Sequence, residues 1–189
     1  MSIPAPAPES PPRPEPPKKP EPEWPRLEPL RASLAGRFGI SLDGDENYEL
    51  LRAVADWMGA PYEWGGCSVG GIDCSCLVKT IYAEVFGLDI NRTVRTMLEE
   101  RLENVDVSGL REGDLLFFDM KDEGFVSHVG IYLKSGAFVQ ASSSNGVMIN
   151  RLTQPFYRAR LVKAARLDEP PGGMELARVS LGNLVVVQQ

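Results

Sequence analysis

The 189-residue chain has little of the residue types that most often bind metals or cross-link small domains. It contains one histidine, His128, and three cysteines, Cys67, Cys74 and Cys76. Structural zinc sites usually take four such ligands, and the C-x6-C-x-C spacing followed by a distant histidine matches no common zinc motif. The odd, low cysteine count also disfavours a disulfide scaffold. We therefore expect no metal, no cofactor and no disulfide framework.

Proline is scarce in most of the chain, because twelve of the 16 prolines lie in residues 1–30. Prolines at this density favour an extended polyproline II conformation over helix or sheet. The sequence predicts a Pro-rich disordered tether over residues 1–30, with a proline-motif ligand as the alternative. A globular domain is predicted over residues 31–168. Pro170-Pro171-Gly172-Gly173 then breaks the chain within a C-terminal extension, residues 169–189.

The chain also lacks an excess of positive charge and any long apolar run. Its formal net charge is −6, which argues against binding to nucleic acid or an anionic membrane surface. No segment approaches the roughly 18 apolar residues of a membrane span. No basic segment followed by an apolar one opens the sequence, so we expect either a cytoplasmic protein or one whose signal peptide has been removed. A monomer is the default expectation.

Apolar spacing predicts helices first and strands afterwards. Residues 47–58 and a segment from Cys74 to Gly87 each place apolar side chains on one helical face, and Gly87 is a typical helix stop. From Asp114 onward the period changes to that of strands. Strands are predicted over residues 114–119, 128–133, 137–142, 146–152 and 158–167. This order indicates an α+β fold with an antiparallel sheet.

Cys74 lies where a glycine-rich segment enters the second predicted helix. Unpaired N–H groups and the positive end of the helix dipole stabilise an anion there, so we expect a thiol pKa lowered toward the thiolate. The same N–H groups could stabilise an oxyanion. A nucleophile needs a base, and His128 is the only histidine. A buried structural thiol with a surface imidazole is the alternative interpretation.

The predicted hairpin brings a third polar residue close to His128. A three-residue loop, Lys134-Ser135-Gly136, with glycine last fits a common hairpin turn. The resulting register pairs His128 with Ser142 and Gly130 with Gln140, which places all four residues on one face. Gln140 is then diagonal to His128 and within side-chain reach. It can orient the imidazole so that the other ring nitrogen faces the cysteine.

Five short motifs together resemble the NlpC/P60 family of papain-like cysteine peptidases, over about residues 47–167. They are Pro61-Tyr62-x-Trp64-Gly65-Gly66, Asp73-Cys74-Ser75-x-Leu77-Val78, Gly113-Asp114-Leu115, Ser127-His128-Val129-Gly130-Ile131-Tyr132 and Phe138-Val139-Gln140-Ala141-Ser142. Each motif alone is weak, but their joint occurrence in the family's order is specific.

The resemblance implies a papain-like α+β fold and hydrolysis of peptidoglycan stem peptides. Most family members cut between γ-D-glutamate and meso-diaminopimelate or lysine. By motif position, Cys74 resembles the nucleophile, His128 the general base and Gln140 the third, orienting residue. The resemblance therefore implies a cysteine-type hydrolase in the cell envelope, provided that a signal has been removed; otherwise it implies a cytoplasmic or phage-associated protein.

The resemblance also assigns substrate-binding positions. Tyr62 and Asp73 match residues that line the substrate pocket, and Asp73 resembles the carboxylate that meets a free peptide amine. Trp64 and Ser75 are expected to shape the same cleft. Arg92-Thr93 resembles a short Arg-Thr/Ser element past the helix that contacts substrate in some members.

The sequence departs from the family at two positions. Cys76 stands where glycine is usual, and because it lies two residues along the helix from Cys74 it faces the other way and is expected to be packed. Gln140 stands where a second histidine is frequent, and it carries no charge to stabilise an imidazolium. We expect activity at a lower rate. Cys67 is expected to be a small buried or loop thiol, and neither Cys67 nor Cys76 is expected to pair with Cys74.

Two other functions remain open. One is a papain-like amidase or acyltransferase acting on a non-wall substrate. The other is a non-catalytic binding module associated with the wall or a phage tail. Tyr62 and Asp73 favour a peptide amine over a lipid, and retention of both Cys74 and His128 favours catalysis.

Overall fold

The computed structural model describes the backbone of residues 28–167 and the side chains from residue 32 onward. The predicted C-terminal extension, and all of the predicted tether except its last three residues, lie outside the described residues. The first helix begins at Glu28, slightly before the predicted start of the globular domain.

Helices and short strands come first, and a run of longer strands follows. The elements are α1 (Glu28–Phe38), α2 (Tyr48–Trp57), β1 (Cys67–Ser68), β2 (Gly71–Ile72), α3 (Cys74–Phe86), α4 (Val94–Met97), β3 (Leu102–Asn104), β4 (Leu115–Phe118), β5 (His128–Tyr132), β6 (Ala137–Ser142), β7 (Gly146–Arg151), α5 (Pro155–Arg160) and β8 (Leu161–Leu167).

The six longer strands form one antiparallel sheet in the order β3-β8-β4-β5-β6-β7, and β1 and β2 form a separate small hairpin. Helices packed on this sheet confirm the α+β class. The β5–β6 hairpin has the predicted register: Ile131 pairs with Val139 and Tyr132 with Phe138. Gly136 has a φ of 78° in the turn, a left-handed conformation that favours glycine.

Both faces of the sheet are covered. On the first face, inward-pointing residues of β5 and β6 pack in the main core with buried residues of α2 and α3; the main core includes Leu50, Val54, Leu77, Ile81, Val129, Ile131, Val139 and Ala141. On the second face, Leu116, Phe118 and Phe138 pack with Tyr157 of α5. Since Phe118 pairs with His128 across the ladder, His128 lies on this second face, and Gln140 follows Phe138 there by strand alternation.

The two predicted helices are confirmed by their caps. Asn47 accepts from the backbone N–H of Leu50 at the start of α2, and Asp73 caps α3 in the same way. Gly87, the residue that follows α3, has a left-handed conformation with a φ of 67°, as helix-terminating glycines commonly do. Apolar spacing, with Gly87 as the stop of α3, therefore sufficed to locate the two helices.

The prediction for the last strand was partly wrong. Residues 158–160 belong to α5, and β8 begins only at Leu161. Pro155 has the φ that the first position of a helix requires, and this signal outweighs the short alternation that follows. Within residues 28–167, no helix is both long enough and apolar enough to span a lipid bilayer.

Candidate active site

The thiol of Cys74 lies at the start of α3 and next to the start of β5. Asp73 accepts from the backbone N–H of Cys76 at 2.7 Å, and the backbone N–H groups of Cys74 and Ser75 lower the pKa of the thiol. The backbone N–H of Val129 also donates toward the sulfur. Val129 immediately follows His128, so the thiol and the candidate base lie at the same end of β5.

Burial dominates the protonation of Cys74. Only 7% of the residue is exposed, and this burial raises the pKa of the thiol to about 11, with the negative charge of Asp73 adding to the effect. The N–H groups of Val129, Ser75 and Cys74 act in the opposite direction but do not compensate. The prediction of a lowered thiol pKa was therefore wrong, because desolvation outweighs the stabilisation at the helix terminus.

His128 is the first residue of β5, and its ring is buried. Its Nε2 atom lies 2.5 Å from Oε1 of Gln140. Burial lowers the pKa of His128 to about 4, although the hydrogen bond to Gln140 raises it in part. The diagonal approach of Gln140 to His128 that the hairpin register predicted is confirmed.

Cys74 and His128 are consequently both uncharged in the resting protein. Between pH values of about 4 and 11, His128 is an unprotonated imidazole and Cys74 is a thiol. Among the described residues, no hydrogen bond joins the Cys74 sulfur to the His128 ring, whose side-chain partner is Gln140. Such contacts often tighten only when substrate is bound. The arrangement suits a base that takes the thiol proton during attack.

Gln140 is held by two residues that sequence reasoning missed. It is only 1% exposed, and its Nε2 donates to Oδ1 of Asn150 at 2.8 Å and to the hydroxyl of Tyr157 at 2.7 Å. Asn150 lies on β7 opposite Phe138, and Tyr157 lies on α5. The polar Asn150 within the apolar strand β7 was the only signal that could have indicated this partner.

Three of the predicted substrate-binding residues form one network at the start of α3. Nη1 and Nη2 of Arg92 donate to the two carboxylate oxygens of Asp73 at 3.0 and 2.9 Å. Arg92 also donates to Oγ of Ser75 at 2.8 Å and to the carbonyl oxygens of Gly65 and Gly66. The hydroxyl of Ser75 donates to Asp73 at 3.0 Å. The network fixes the glycine-rich turn against the helix that carries the thiol.

The other two predicted pocket residues differ in burial. Tyr62 is half-buried, and burial raises the pKa of its phenol. Trp64 is 84% exposed. An exposed indole beside the glycine-rich turn offers an apolar surface to a bound ligand.

The other two cysteines are bonded to each other. A disulfide joins Cys67 of β1 to Cys76 of α3, with a Cα–Cα distance of 5.5 Å, which is ordinary for such a bridge. Cys74 is the free cysteine, so the prediction that it stays unpaired is confirmed. The expectation of no disulfide, with Cys67 as a buried or loop thiol, was wrong. Pairing depends on the β1–β2 turn, which folds Cys67 back onto the helix.

One group of acidic side chains has a spacing that could hold a cation. Asp43, Asp45 and Glu46 bring their carboxylates together, and the ammonium group of Lys134 donates to all three, at 2.9 Å from Oε1 of Glu46. Lys134 therefore already balances part of this charge. The group belongs to the segment before α2 and is not part of the thiol site.

Comparison with known proteins identifies the family. The NlpC/P60 family profile matches residues 59–166, a range that includes the thiol, the histidine and Gln140. The chain belongs to the NlpC/P60 family. The resemblance seen in the five motifs is thereby confirmed.

Curated relatives carry hydrolase names. The murein DD-endopeptidase MepS/murein LD-carboxypeptidase of Escherichia coli K12 is 37% identical over 123 residues, covering 65% of this chain and 64% of that protein. The gamma-DL-glutamyl hydrolase of Bacillus subtilis is 30% identical over 120 residues, covering 63% of this chain and 29% of that protein. The chain thus spans less than two thirds of either relative's length.

A solved structure shares the fold. An NlpC/P60 family protein from Bacillus cereus, known from a crystal structure, superposes with a TM-score of 0.58 at 31% sequence identity. The match covers 64% of this chain and 40% of that chain. This likeness to an NlpC/P60 structure, together with the helices and the six-stranded antiparallel sheet described above, confirms the predicted fold class.

Proposed function

We propose that this protein is a cysteine peptidase that hydrolyses peptidoglycan stem peptides through a thiol acyl-enzyme. Cys74 is the nucleophile, His128 the general base and Gln140 the residue that orients the imidazole. The observation that carries the proposal is the 2.5 Å hydrogen bond between His128 and Gln140 beside a free cysteine at a helix start. The murein hydrolase name of the E. coli relative supports the substrate class.

The neutral resting pair determines the order of proton transfers. The Cys74 sulfur attacks the substrate carbonyl carbon while its proton passes to the free nitrogen of His128. The N–H groups of Cys74 and Ser75 are placed to donate to the developing oxyanion. His128 then protonates the leaving amine, and a thioester remains. Water attacks the thioester, its proton passes through His128, and the carboxylic acid and the thiol are released.

The predicted pocket residues are proposed to hold the stem peptide. The Trp64 ring, exposed beside the glycine-rich turn, provides an apolar surface. The Asp73 carboxylate is ionised, because Arg92 and the Cys76 N–H lower its pKa more than burial raises it. Asp73 therefore keeps a negative charge for a peptide amine, shared with Arg92, and Tyr62 and Ser75 border the same cleft.

The bond proposed for cleavage is that between γ-D-glutamate and the diamino acid, meso-diaminopimelate or lysine. The gamma-DL-glutamyl hydrolase name of the B. subtilis relative favours this bond. The DD-endopeptidase and LD-carboxypeptidase names of the E. coli relative point to other stem-peptide bonds. The products of digestion distinguish these bonds directly.

The test is digestion of purified, diaminopimelate-containing peptidoglycan with the full chain and with Cys74→Ala, followed by mass spectrometry of the fragments. We expect new ends between D-glutamate and diaminopimelate that are absent from the Cys74→Ala digest. New fragment ends at cross-links between D-amino acids would support the peptidase proposal but would assign cleavage to the cross-link instead of the γ-D-glutamyl bond.

Failure of this digestion would favour the other functions. If neither protein releases fragments although Cys74 carries a free thiol, free stem peptides and other amides are tested next. Cleavage of amides alone would indicate the amidase or acyltransferase. Binding to intact peptidoglycan without cleavage of any amide would indicate the non-catalytic module.

The disulfide supports a proposed location in the cell envelope. Bonds such as that between Cys67 and Cys76 persist mainly in oxidising compartments. Residues 1–30 are proposed as the tether that positions the domain there. Cells are treated with an alkylating reagent before lysis, and mass spectrometry should find these two cysteines unmodified and bonded in the native host.

A further inference from the structure

A chain of side-chain amides leads from the backbone of β7 to the candidate base. The backbone N–H of Arg151 donates to Oε1 of Gln154 at 2.9 Å. Nδ2 of Asn150 donates to the same oxygen at 3.4 Å. Nε2 of Gln140 donates to Oδ1 of Asn150 at 2.8 Å. The last member, Oε1 of Gln140, faces Nε2 of His128 at 2.5 Å.

The donor-to-acceptor direction of this hydrogen-bonded chain is fixed at its Arg151 end. A backbone N–H can only donate, so the amide of Gln154 must present its oxygen to Arg151. That oxygen attracts the amide nitrogen of Asn150, which leaves the oxygen of Asn150 for Gln140. The hydroxyl of Tyr157 accepts the second N–H of Gln140 at 2.7 Å. Both N–H groups of Gln140 are then used, and only its oxygen is available to His128.

The orientation of Gln140 decides which imidazole nitrogen carries the proton. An amide oxygen only accepts, so Nε2 of His128 must be the protonated nitrogen in the neutral ring. Nδ1 is then unprotonated and free to take the thiol proton. If Gln140 were turned over, its N–H would face Nε2, the proton would move to Nδ1, and that nitrogen could not act as a base.

We propose that Asn150 and Gln154 are positioning residues that fix the tautomer of His128 by setting the direction of the Gln140 amide. This inference rests on the proposed function, in which His128 is the base. A neutral third residue makes such a device necessary: a glutamine can present either end of its amide to the ring, whereas a carboxylate would always accept. Neither residue touches the reacting atoms.

The test uses the single histidine of the chain. The full-length protein is labelled with ¹⁵N-histidine, and two-dimensional NMR that correlates the ring nitrogens with the ring carbon-bound protons assigns the protonated nitrogen at pH 7. The variants are Asn150→Leu, which removes the acceptor for Gln140, and Gln154→Met, at an exposed position where folding is not at risk. Gln154→Glu is the conservative variant, since its carboxylate can only accept.

Asn104→Leu is the matched control. Asn104 is exposed on β3, at the opposite edge of the sheet from β7. Asn104→Leu therefore makes the same change of side chain as Asn150→Leu, but far from the candidate site. Thermal unfolding of each variant is measured first, so that spectra are compared only for folded protein. kcat and KM for stem-peptide cleavage are measured in parallel.

We expect the proton on Nε2 in the natural protein, in Asn104→Leu and in Gln154→Glu. Asn150→Leu is expected to show a mixture of tautomers. Its kcat should be roughly 10-fold lower at unchanged KM, because it loses only part of the 10²- to 10⁴-fold rate acceleration that general base catalysis provides. Gln154→Met is expected to change in the same direction by less, because water can replace the lost acceptor in part.

Two results would overturn the proposal: a proton on Nδ1 in the natural protein, or natural tautomer populations and kcat in both folded Asn150→Leu and Gln154→Met. The spectra do not depend on turnover. If no stem peptide is cleaved but the tautomers change as expected, the positioning role stands and the peptidase proposal fails.

Discussion

Arg92 binds both carboxylate oxygens of Asp73, with Nη1–Oδ1 and Nη2–Oδ2 distances of 3.0 and 2.9 Å. Asp73 in turn caps α3 by accepting from the N–H of Cys76. Burial raises the pKa of Asp73, but Arg92 and the Cys76 N–H lower it more, and the net direction is down. The helix that carries the thiol thus begins at an ionised, paired carboxylate.

Removing Arg92 should destabilise the protein through Asp73. In Arg92→Met the buried carboxylate loses its charged partner, and we expect the free energy of unfolding to fall by about 1–3 kcal/mol. Adding Asp73→Asn should recover part of this loss, because the amide needs no counter-charge. Urea unfolding of the two single variants and the double variant measures the coupling. Arg95→Met, at an exposed position in α4, is the control, and purely additive effects would contradict the prediction.

The neutral thiol predicts slow alkylation of Cys74 at neutral pH. With a pKa of about 11, the thiolate fraction at pH 7 is about 10⁻⁴, roughly three hundredfold below that of an ordinary cysteine. The rate of reaction with iodoacetamide should rise about tenfold per pH unit between 7 and 10. His128→Gln should leave this profile nearly unchanged. A rate that is constant from pH 5 to 8 would instead reveal a thiolate–imidazolium pair.

Local sequence signals were enough to predict the hairpin and the helix that carry the candidate catalytic residues. The β5–β6 register followed from Gly136 and strict alternation, and this register alone places Gln140 diagonal to His128. Apolar spacing and the stop at Gly87 located α3 in the same local way. These features depend on turn geometry and on the spacing of apolar residues, so the sequence alone specifies them.

The features that sequence missed depend on side-chain packing and burial that no turn type or apolar period specifies. Asn150 and Tyr157 reach Gln140 from β7 and α5, and no short pattern links them to it. The raised pKa of Cys74 arises from burial by the whole fold, which a helix-terminus argument does not include. Cys67 meets Cys76 only because β1 and β2 turn back on α3.

Burial of His128 should make stability depend on pH. Its pKa is about 4 in the folded protein and about 6.5 when unfolded. Between these values the unfolded chain binds a proton that the folded one does not, so the free energy of unfolding falls as pH decreases from 6.5 to 4 and recovers as pH rises. The full effect is at most about 3 kcal/mol.

His128→Gln isolates this contribution. The variant removes the only histidine. Carboxylates that titrate in the same pH range are present in both proteins, so their effect on stability cancels in the comparison. Urea unfolding of both proteins at pH 4, 5, 6 and 7 should show a difference that grows as pH falls. Parallel pH dependences would mean that the imidazole is accessible to protons in the folded state.

The disulfide should stabilise the segment that leads into α3. Cys67 and Cys76 are nine residues apart, and closing a loop of this length contributes about 2–3 kcal/mol. We expect dithiothreitol to lower the free energy of unfolding by that amount. Cys67→Ser should show the same lower stability and no further response to the reductant, which controls for effects of dithiothreitol elsewhere.

Catalysis should respond less than stability to loss of this bond. The hydrogen bonds of Asp73 with Arg92 and of His128 with Gln140 do not involve either bonded cysteine, so kcat should be largely unchanged in folded Cys67→Ser. Denaturation without reductant followed by alkylation and mass spectrometry should label Cys74 alone. Three labelled cysteines would contradict the bond, and a large fall in kcat in folded Cys67→Ser would show that the β1–β2 turn must be held on α3 for the thiol to act.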